Sequence, residues 1–362
     1  TCVYTNTTPV DAYRGAGRPE AAYLIERAID RVALELGLDP ADVRFRNFIQ
    51  PEQLPYRQGL GTKIDSGQFS NTLNLALEKI NYKALRKEQE TARAEGRLFG
   101  VGISNYTETC AMGFGPLLGA IGFDRGGYES ALVRVHPDGH VSVFSGSHSH
   151  GQGHVTTFAQ IAADSLGITP NEIEVIQGDT DQVPFGTGTF NSRSVAVGGS
   201  AIKIASDRIA EKMKKIAGHL LQSPPDKIVV SRGVFGTEDG QATIKARDIA
   251  KAAWTGHNIP HDFGIGLEET EFYHPVDMSS PYGAHIAVVE IDRETGDVDL
   301  KRYLAVDDCG VIINPTCFRG SKPIIRSRLQ TQILWASKVS AKRALWARRQ
   351  PLPMQSSTLF GP

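Results

Sequence analysis

The chain has 362 residues, enough for two or more hydrophobic cores, which excludes a single small module. Its 39 lysines and arginines nearly balance its 40 aspartates and glutamates, so the charge points to neither a nucleic-acid-binding protein nor a strongly acidic one. The sequence has no apolar run of membrane-helix length and no secretory pattern, and we expect a soluble protein.

Helices are predicted for the N-terminal part of the chain. An amphipathic helix is predicted over residues 18–36, with a proline in its first turn and a glycine after its end. Its apolar positions are Ala22, Ile25, Ile29, Val32 and Leu36. A short helix follows over 39–48. A third begins at Ser70 and either ends near Ile80 or continues to Glu95.

From Leu98 onward, alternating patterns predict strands and hairpins among further helices. The predicted elements are strands at 129–136 and 140–145, a helix at 154–166, a strand at 172–178, a helix at 197–217 and a hairpin at 285–307. The mixture of helices and antiparallel hairpins predicts an α+β fold, with a domain boundary between residues 82 and 98.

The composition changes after Asp308. No acidic residue follows, while nine lysines and arginines lie between Arg319 and Arg349. One interpretation is a basic tail that binds nucleic acid or a membrane, and the other is a discontinuity in the reading frame.

Three glycine-rich loops each lead into a predicted helix: the first loop (residues 11–20, "DAYRGAGRPE"), the second loop (146–157, "GSHSHGQGHVTT") and the third loop (184–202, "PFGTGTFNSRSVAVGGSAI"). Backbone N–H groups at such positions can point together at an anion. In the second loop, Gly151 and Gly153 allow close approach of a ligand and Gln152 offers a donor and an acceptor, which suits phosphate or the edge of a pterin ring. The third loop supplies the hydroxyls of Thr187, Thr189, Ser192 and Ser194 and the charge of Arg193.

Two other kinds of binding site have partial signals in the sequence. "GAGRPE" lacks the last glycine of a dinucleotide fingerprint and "GLGTKI" lacks the spacing of a P-loop, so both are rejected. A zinc or copper site on His148, His150 and His154 remains an alternative, with the first two expected on one strand face. The cysteines Cys2, Cys110, Cys309 and Cys317 form no CxxC pair, which argues against an iron–sulfur cluster and for free thiols in a reducing cytoplasm.

Taken together, the motifs resemble the molybdenum-binding large subunits of the xanthine dehydrogenase and aldehyde oxidase superfamily, especially the aerobic carbon monoxide dehydrogenase type. The resemblance extends over about residues 5–315 and rests on "AYRGAGRPEA", "GQGHVTTFAQIAADSLGI", "GDTDQVPFGTGTFNSRS" and "VDDCGVIINP" in the family's order. It implies the end of a first molybdopterin-binding domain at 1–95, an incomplete second one at 96–315 and an atypical tail at 316–362.

The resemblance also implies roles for particular residues. Arg14 would lie beside the substrate and stabilise negative charge that develops on it. Tyr13, Met112 and Phe114 would line the substrate pocket. The residues expected to contact molybdopterin, in its cytosine dinucleotide form, are Gly15, Ala16, Gly151, Gln152, Gly153, Thr187, Thr189, Ser192, Arg193 and Ser194, and the pterin rather than the protein would hold molybdenum.

The implied reaction is oxidative hydroxylation of an aldehyde or N-heterocycle, or an oxidation like that of carbon monoxide dehydrogenase, with water as the oxygen source. Electrons would leave to an iron–sulfur small subunit and a medium subunit with FAD, because this sequence has no iron–sulfur ligand set and no flavin fingerprint. In strict carbon monoxide oxidisers a copper-binding cysteine follows the motif AYR, whereas this chain has Gly15, so no copper is expected.

The resemblance ends after "VDDCGVIINP". Relatives continue with a cofactor loop and a glutamate that acts as general base. Here "TCFRGSKPIIRSRLQTQ" follows, without any later glutamate. We therefore expect a frameshifted tail and a fragment that lacks the base and is inactive alone.

Overall fold

The fold comes from a computed structural model that describes residues 6–8, 13–59, 61–112, 115–120, 122–123, 126–314 and 332–335. Most of the basic tail predicted at 316–362 therefore lies outside the described residues, as does Phe114.

The described helices are α1 (Arg18–Leu36), α2 (Pro40–Asn47), α3 (Phe69–Lys79), α4 (Tyr82–Ala94), α5 (Gly115–Ala120), α6 (His154–Leu166), α7 (Ser200–Leu220) and α8 (Ala246–Thr255). The described strands are β1 (Tyr56–Arg57), β2 (Lys63–Ile64), β3 (Leu98–Thr107), β4 (Glu129–Val135), β5 (Val141–Ser145), β6 (Ile173–Gln177), β7 (Ile228–Ser231), β8 (Val234–Thr237), β9 (Thr243–Lys245), β10 (Glu268–Tyr273), β11 (Tyr282–Ile291), β12 (Val298–Asp308) and β13 (Gln332–Trp335). The predicted α+β fold is confirmed. Among the described helices, none combines the length and the apolar character that crossing a bilayer requires.

Helix α1 has the predicted bounds, but the apolar face predicted for it is not buried. Of its residues only Ala33 is fully buried, while Ile25 and Leu36 on the predicted apolar face are mostly exposed. The helix is held instead through polar side chains, because Glu26 accepts hydrogen bonds from Arg44 in α2 and from the backbone N–H of Asn105 in β3. The position of α1 therefore depends on an ion pair more than on apolar packing.

The alternative of one long helix from Ser70 to Glu95 is wrong. Helix α3 ends at Lys79 and α4 begins at Tyr82, because Asn81 adopts a left-handed backbone conformation with φ of 54°. A left-handed residue cannot continue a right-handed helix, and asparagine tolerates it better than most residues. The two helices pack separately against the sheet that contains β3, β11 and β12.

The first sheet has the strand order β13-β12-β11-β3. Strands β11 and β12 form the predicted hairpin, β3 pairs antiparallel with β11, and β13 pairs parallel with β12. Its core joins Leu73 and Ala76 of α3 to Ile103, Ile286 and Leu304 of the sheet. This core contains residues from both sides of the domain boundary predicted at 82–98. The division into domains at 1–95 and 96–315 stays a prediction.

The second sheet has the strand order β10-β4-β5-β6, and helices α6 and α7 pack on it around Phe158, Ile202 and Ile209. The predicted hairpin of β4 and β5 is confirmed, and β6 runs parallel to β5. Ser145 and Gln177 are paired at the ends of β5 and β6. Because the two strands are parallel, the chain leaves both at the same edge of the sheet, where the second loop begins and the third soon follows.

Candidate functional site

The second loop leads from the end of β5 to the N-terminus of α6. Gly153 precedes α6 with φ of 77°, and no described side chain caps this helix. An added Cβ at Gly151 or Gly153 would have no described atom within 4 Å, so the backbone there borders open space. Gln152 is exposed, and its side-chain oxygen accepts a hydrogen bond from the backbone N–H of His150. A ligand can therefore approach the predicted residues of this loop directly.

Thr189 joins the third loop to the second. Its hydroxyl accepts a hydrogen bond from the backbone N–H of His148 at 3.1 Å and one from the hydroxyl of Ser194 at 2.9 Å. The hydroxyl of Thr187 donates to the carbonyl of Tyr128 at 3.1 Å. These predicted hydroxyls therefore organise the protein itself, and each keeps hydrogen-bonding capacity for a ligand.

The third loop enters its helix differently from the prediction. Residues Ser194–Gly199 form a π-helical turn, and α7 begins at Ser200, three residues after the predicted start. Wider π turns occur often at functional sites. Ser194 lies buried at the beginning of this turn.

Glu108, at the end of β3, links the first loop to the third. One of its carboxylate oxygens lies 3.4 Å from Nε of Arg18 and accepts a hydrogen bond from Ser192 at 3.4 Å. The prediction missed Glu108, although a carboxylate directly after a strand in "SNYTETC" is a usable signal. Beside it, Met112 is within 2.8 Å of the side-chain nitrogen of Asn191, which places this predicted pocket residue against the third loop.

In the first loop, Tyr13 and Arg14 are exposed and the backbone N–H of Ala16 donates to the carbonyl of Tyr13 at 2.6 Å. Gly15 has φ of 93°, a left-handed value that favours glycine, and an added Cβ would lie 2.8 Å from Cδ of Pro19. This turn therefore accepts only glycine at position 15 without rearrangement. The described contacts connect the three loops through Glu108 and Thr189.

Arg193 has a different environment from the expected one. Its guanidinium is fully buried, 2.8 Å from the Glu129 carboxylate, and donates to the carbonyls of Gly127, Tyr128 and Gly188. The predicted contact of its charge with a phosphate is thus not supported, because Glu129 neutralises that charge inside the protein. Burial raises the pKa of the Glu129 carboxyl, and the charge of Arg193 opposes that rise.

The expectation that His148 and His150 share a strand face is wrong, because β5 ends at Ser145. The two imidazole rings are perpendicular, with centroids 5.5 Å apart. His154 is buried and stacked on Phe158, and burial lowers its pKa. Among the residues that the structure describes, no three histidine, cysteine, aspartate or glutamate side chains form a group that could hold a metal ion.

A surface cavity of about 530 Å³ lies at the far end of α7, lined by His219, Leu220 and residues 257–260. None of the three loops contributes to it, so the cavity and the connected loops are separate features.

Comparison with protein families gives two matches, both to models described as molybdopterin cofactor-binding domains. One covers residues 75–321 and the other residues 1–48. The first loop lies within the shorter match, and the second and third loops lie within the longer one.

Individual proteins are similar over most of this chain. It is 38% identical over 324 residues to the carbon monoxide dehydrogenase large chain of Hydrogenophaga pseudoflava, which covers 88% of this chain and 40% of that protein. It is 33% identical over 323 residues to the nicotine 6-hydroxylase large subunit of Paenarthrobacter nicotinovorans, and that match covers 87% of this chain and 39% of the relative. The solved structure of quinoline 2-oxidoreductase from Pseudomonas putida 86 matches with a TM-score of 0.83 at 30% identity, covering 94% of this chain and 49% of that one. This chain therefore spans about 40% of the length of the curated relatives it matches.

Proposed function

This chain belongs to the molybdenum-binding large subunits of the xanthine dehydrogenase superfamily, of the carbon monoxide dehydrogenase type, and on that premise we propose that it forms part of the cofactor cage of a molybdenum hydroxylase. The observation that carries the proposal is the connection of all three glycine-rich loops through Glu108 and Thr189. Loops that are distant in sequence but joined in space can bind one extended ligand.

The loops fit the chemistry of a pterin with a phosphate. No described side chain caps the N-terminus of α6, so the backbone N–H groups of its first turn can bind an anion. The open backbone at Gly151 and Gly153 admits a flat ring, and the Gln152 amide can pair with the ring edge. The residues proposed to hold molybdopterin, in its cytosine dinucleotide form, are Gly15, Ala16, Gly151, Gln152, Gly153, Thr187, Thr189, Ser192 and Ser194.

The bound group would supply a two-electron oxidation in which water provides the oxygen added to the substrate. The contribution of this chain is binding and electrostatics. The exposed Arg14 guanidinium is proposed to stabilise negative charge on the substrate, and Tyr13 and Met112 are proposed to line the substrate pocket. Phe114 stays a proposed pocket residue outside the described part of the chain.

For substrate, we propose an aldehyde or an N-heterocycle, without a copper centre. A relative acts on nicotine and a structural neighbour on quinoline, by their names, and Gly15 offers no thiolate for copper(I). In the assembled enzyme that contains this chain, dye reduction should be supported by such heterocycles or aldehydes. Carbon monoxide oxidation at a matching rate would contradict the proposal.

For partners, we propose an iron–sulfur small subunit and an FAD-containing medium subunit. The relatives are named large chain and large subunit, which supports a multi-subunit enzyme. The four cysteines of the sequence form no CxxC pair and no iron–sulfur ligand set. Electrons are therefore proposed to leave through other chains.

Gln152→Ala should weaken the binding of molybdopterin by about tenfold, because hydrogen bonds to the ring edge each contribute on the order of 1 kcal/mol. Binding would be followed by pterin fluorescence in an anaerobic titration of this chain with cofactor released from a known molybdenum enzyme. Gln241→Ala is the control, since Gln241 is an exposed glutamine in the turn between β8 and β9. Equal binding to the native and the heat-unfolded chain would disprove the proposed function.

A further inference from the structure

A fully buried ion pair lies behind the second and third loops. The carboxylate of Glu129, the first residue of β4, and the guanidinium of Arg193 in the third loop are 2.8 Å apart, and both side chains have 0% exposure. The two residues are 64 positions apart in the sequence. Burying two charges is costly unless geometry and hydrogen bonding compensate, so the pair is a poor way to gain stability alone.

The guanidinium of Arg193 holds the third loop against the chain that enters β4. One of its nitrogens donates to the carbonyl of Gly188 at 2.7 Å, and the other donates to Tyr128 at 2.7 Å and to Gly127 at 3.0 Å. Three carbonyls from two segments thus converge on one side chain. Their separation is fixed by the planar shape of the guanidinium.

The carboxylate of Glu129 holds the second loop in the same way. One oxygen accepts a hydrogen bond from the Ser147 hydroxyl at 3.1 Å. The other lies against the backbone of two glycines, and an added Cβ at Gly186 would be 2.6 Å from it, while one at Gly146 would overlap it. Gly146 begins the second loop and Gly186 belongs to the third, so the carboxylate is a shared packing surface for both.

We propose that Glu129 is a positioning residue for the cofactor site, whose carboxylate, paired with Arg193, fixes the second glycine-rich loop relative to the third. The inference rests on the proposed function for the identity of the ligand. It assigns Arg193 an indirect role, in which the arginine orders the loop that carries Thr189 and Ser194 and does not itself touch a phosphate.

The test compares Glu129→Gln, Glu129→Asp and the double variant Glu129→Gln/Arg193→Met. Molybdopterin released from a known molybdenum enzyme is the probe, and its dissociation constant and the melting temperature are measured for each variant. Groups that support a metal-cofactor site from behind typically contribute about tenfold or more to affinity, and this loss is expected for Glu129→Gln. Glu129→Asp keeps the charge and should recover part of the affinity.

The double variant separates positioning from stability. It leaves no unpaired buried charge, although the carbonyls of Gly127, Tyr128 and Gly188 lose their donor, so its melting temperature should be no lower than that of Glu129→Gln while its affinity for the pterin stays low. Wild-type affinity in the double variant would overturn the proposal. Glu290→Gln is the matched control, because it removes a carboxylate from the Arg97–Glu290 pair in the sheet of β3 and β11, at the end of β11 opposite Tyr282, and should leave pterin binding unchanged.

A second readout does not depend on the cofactor. Trypsin should cleave Glu129→Gln selectively after Arg193, which is buried in the wild type, with cleavage after the half-exposed Lys203 as the internal reference. Selective cleavage supports the inference even if the wild-type chain binds no pterin, in which case only the proposed function fails. Uniformly faster cleavage at all sites, or no cleavage after Arg193, would show that the Glu129–Arg193 pair contributes only to global stability and would contradict the inference.

Discussion

Gly146→Ala is expected to destabilise the chain by about 3 kcal/mol and to separate the second loop from the third, because overpacking at backbone atoms costs the upper end of the usual range. The added Cβ would overlap the Glu129 carboxylate and would lie 2.5 Å from both Cα of Gly186 and the carbonyl oxygen of Phe185. Backbone atoms cannot rotate away as a flexible side chain does, so the third loop has to move. The free energy of unfolding in urea measures the loss.

Gly102→Ala provides the control for this substitution. Gly102 lies in β3, where an added Cβ has no described atom within 4 Å, and neither glycine has the left-handed backbone that would itself penalise alanine. Alanine is expected to be neutral or slightly stabilising there, since glycine weakens a strand interior. If both variants unfold at the same urea concentration, steric overlap at Gly146 is not the cause.

Arg44→Met should lower the free energy of unfolding by about 3–5 kcal/mol, the usual cost of breaking a buried ion pair from one side. The Arg44 side chain is 1% exposed. Its Nε donates to Glu26 at 2.9 Å, and Nη2 lies 3.0 Å from Asp30 and 2.8 Å from the carbonyl of Ile103. Methionine would leave the two carboxylates of α1 without a counter-charge.

Two further variants define the cause of that loss. Arg31→Met removes an exposed pair with Glu35 on the same helix and should change stability by less than about 1 kcal/mol. Glu26→Met combined with Arg44→Met removes the more buried carboxylate together with the arginine and leaves only the partly exposed Asp30 without a counter-charge, so it should recover part of the stability. A small effect of Arg44→Met in urea unfolding would show that α1 is held by other contacts.

The sequence predicted the bounds of α1 and α6 because periodic apolar residues and flanking glycines are local signals. Sequence patterns did not predict features that depend on one backbone angle or on parts of the chain far away in sequence. The break at Asn81 depends on a single backbone conformation, and the exposure of Ile25 depends on what the rest of the chain covers. Neither property is encoded in a periodicity.

In the candidate site, too, local features were predicted and features that depend on distant residues were not. The glycine-rich loops were recognised because backbone freedom at helix N-termini leaves a pattern in the sequence. The surroundings of Arg193 could not be predicted because its partner, Glu129, is far away in the sequence and belongs to a strand. From sequence alone, an arginine in a loop is predicted to bind an anionic ligand. Only the fold shows that a carboxylate from a distant strand neutralises it.

The turn at Gly15 limits how a first loop with glycine after the motif AYR could change into one with cysteine there. Strict carbon monoxide oxidisers are expected to carry cysteine at the equivalent place, yet here φ of 93° is strained for any residue but glycine and an added Cβ would lie 2.8 Å from Cδ of Pro19. A single codon change to cysteine would therefore introduce strain before it introduced a copper ligand. A side chain at position 15 therefore requires the entrance of α1 to shift, so the effects of substitutions at positions 15 and 19 are expected to be non-additive.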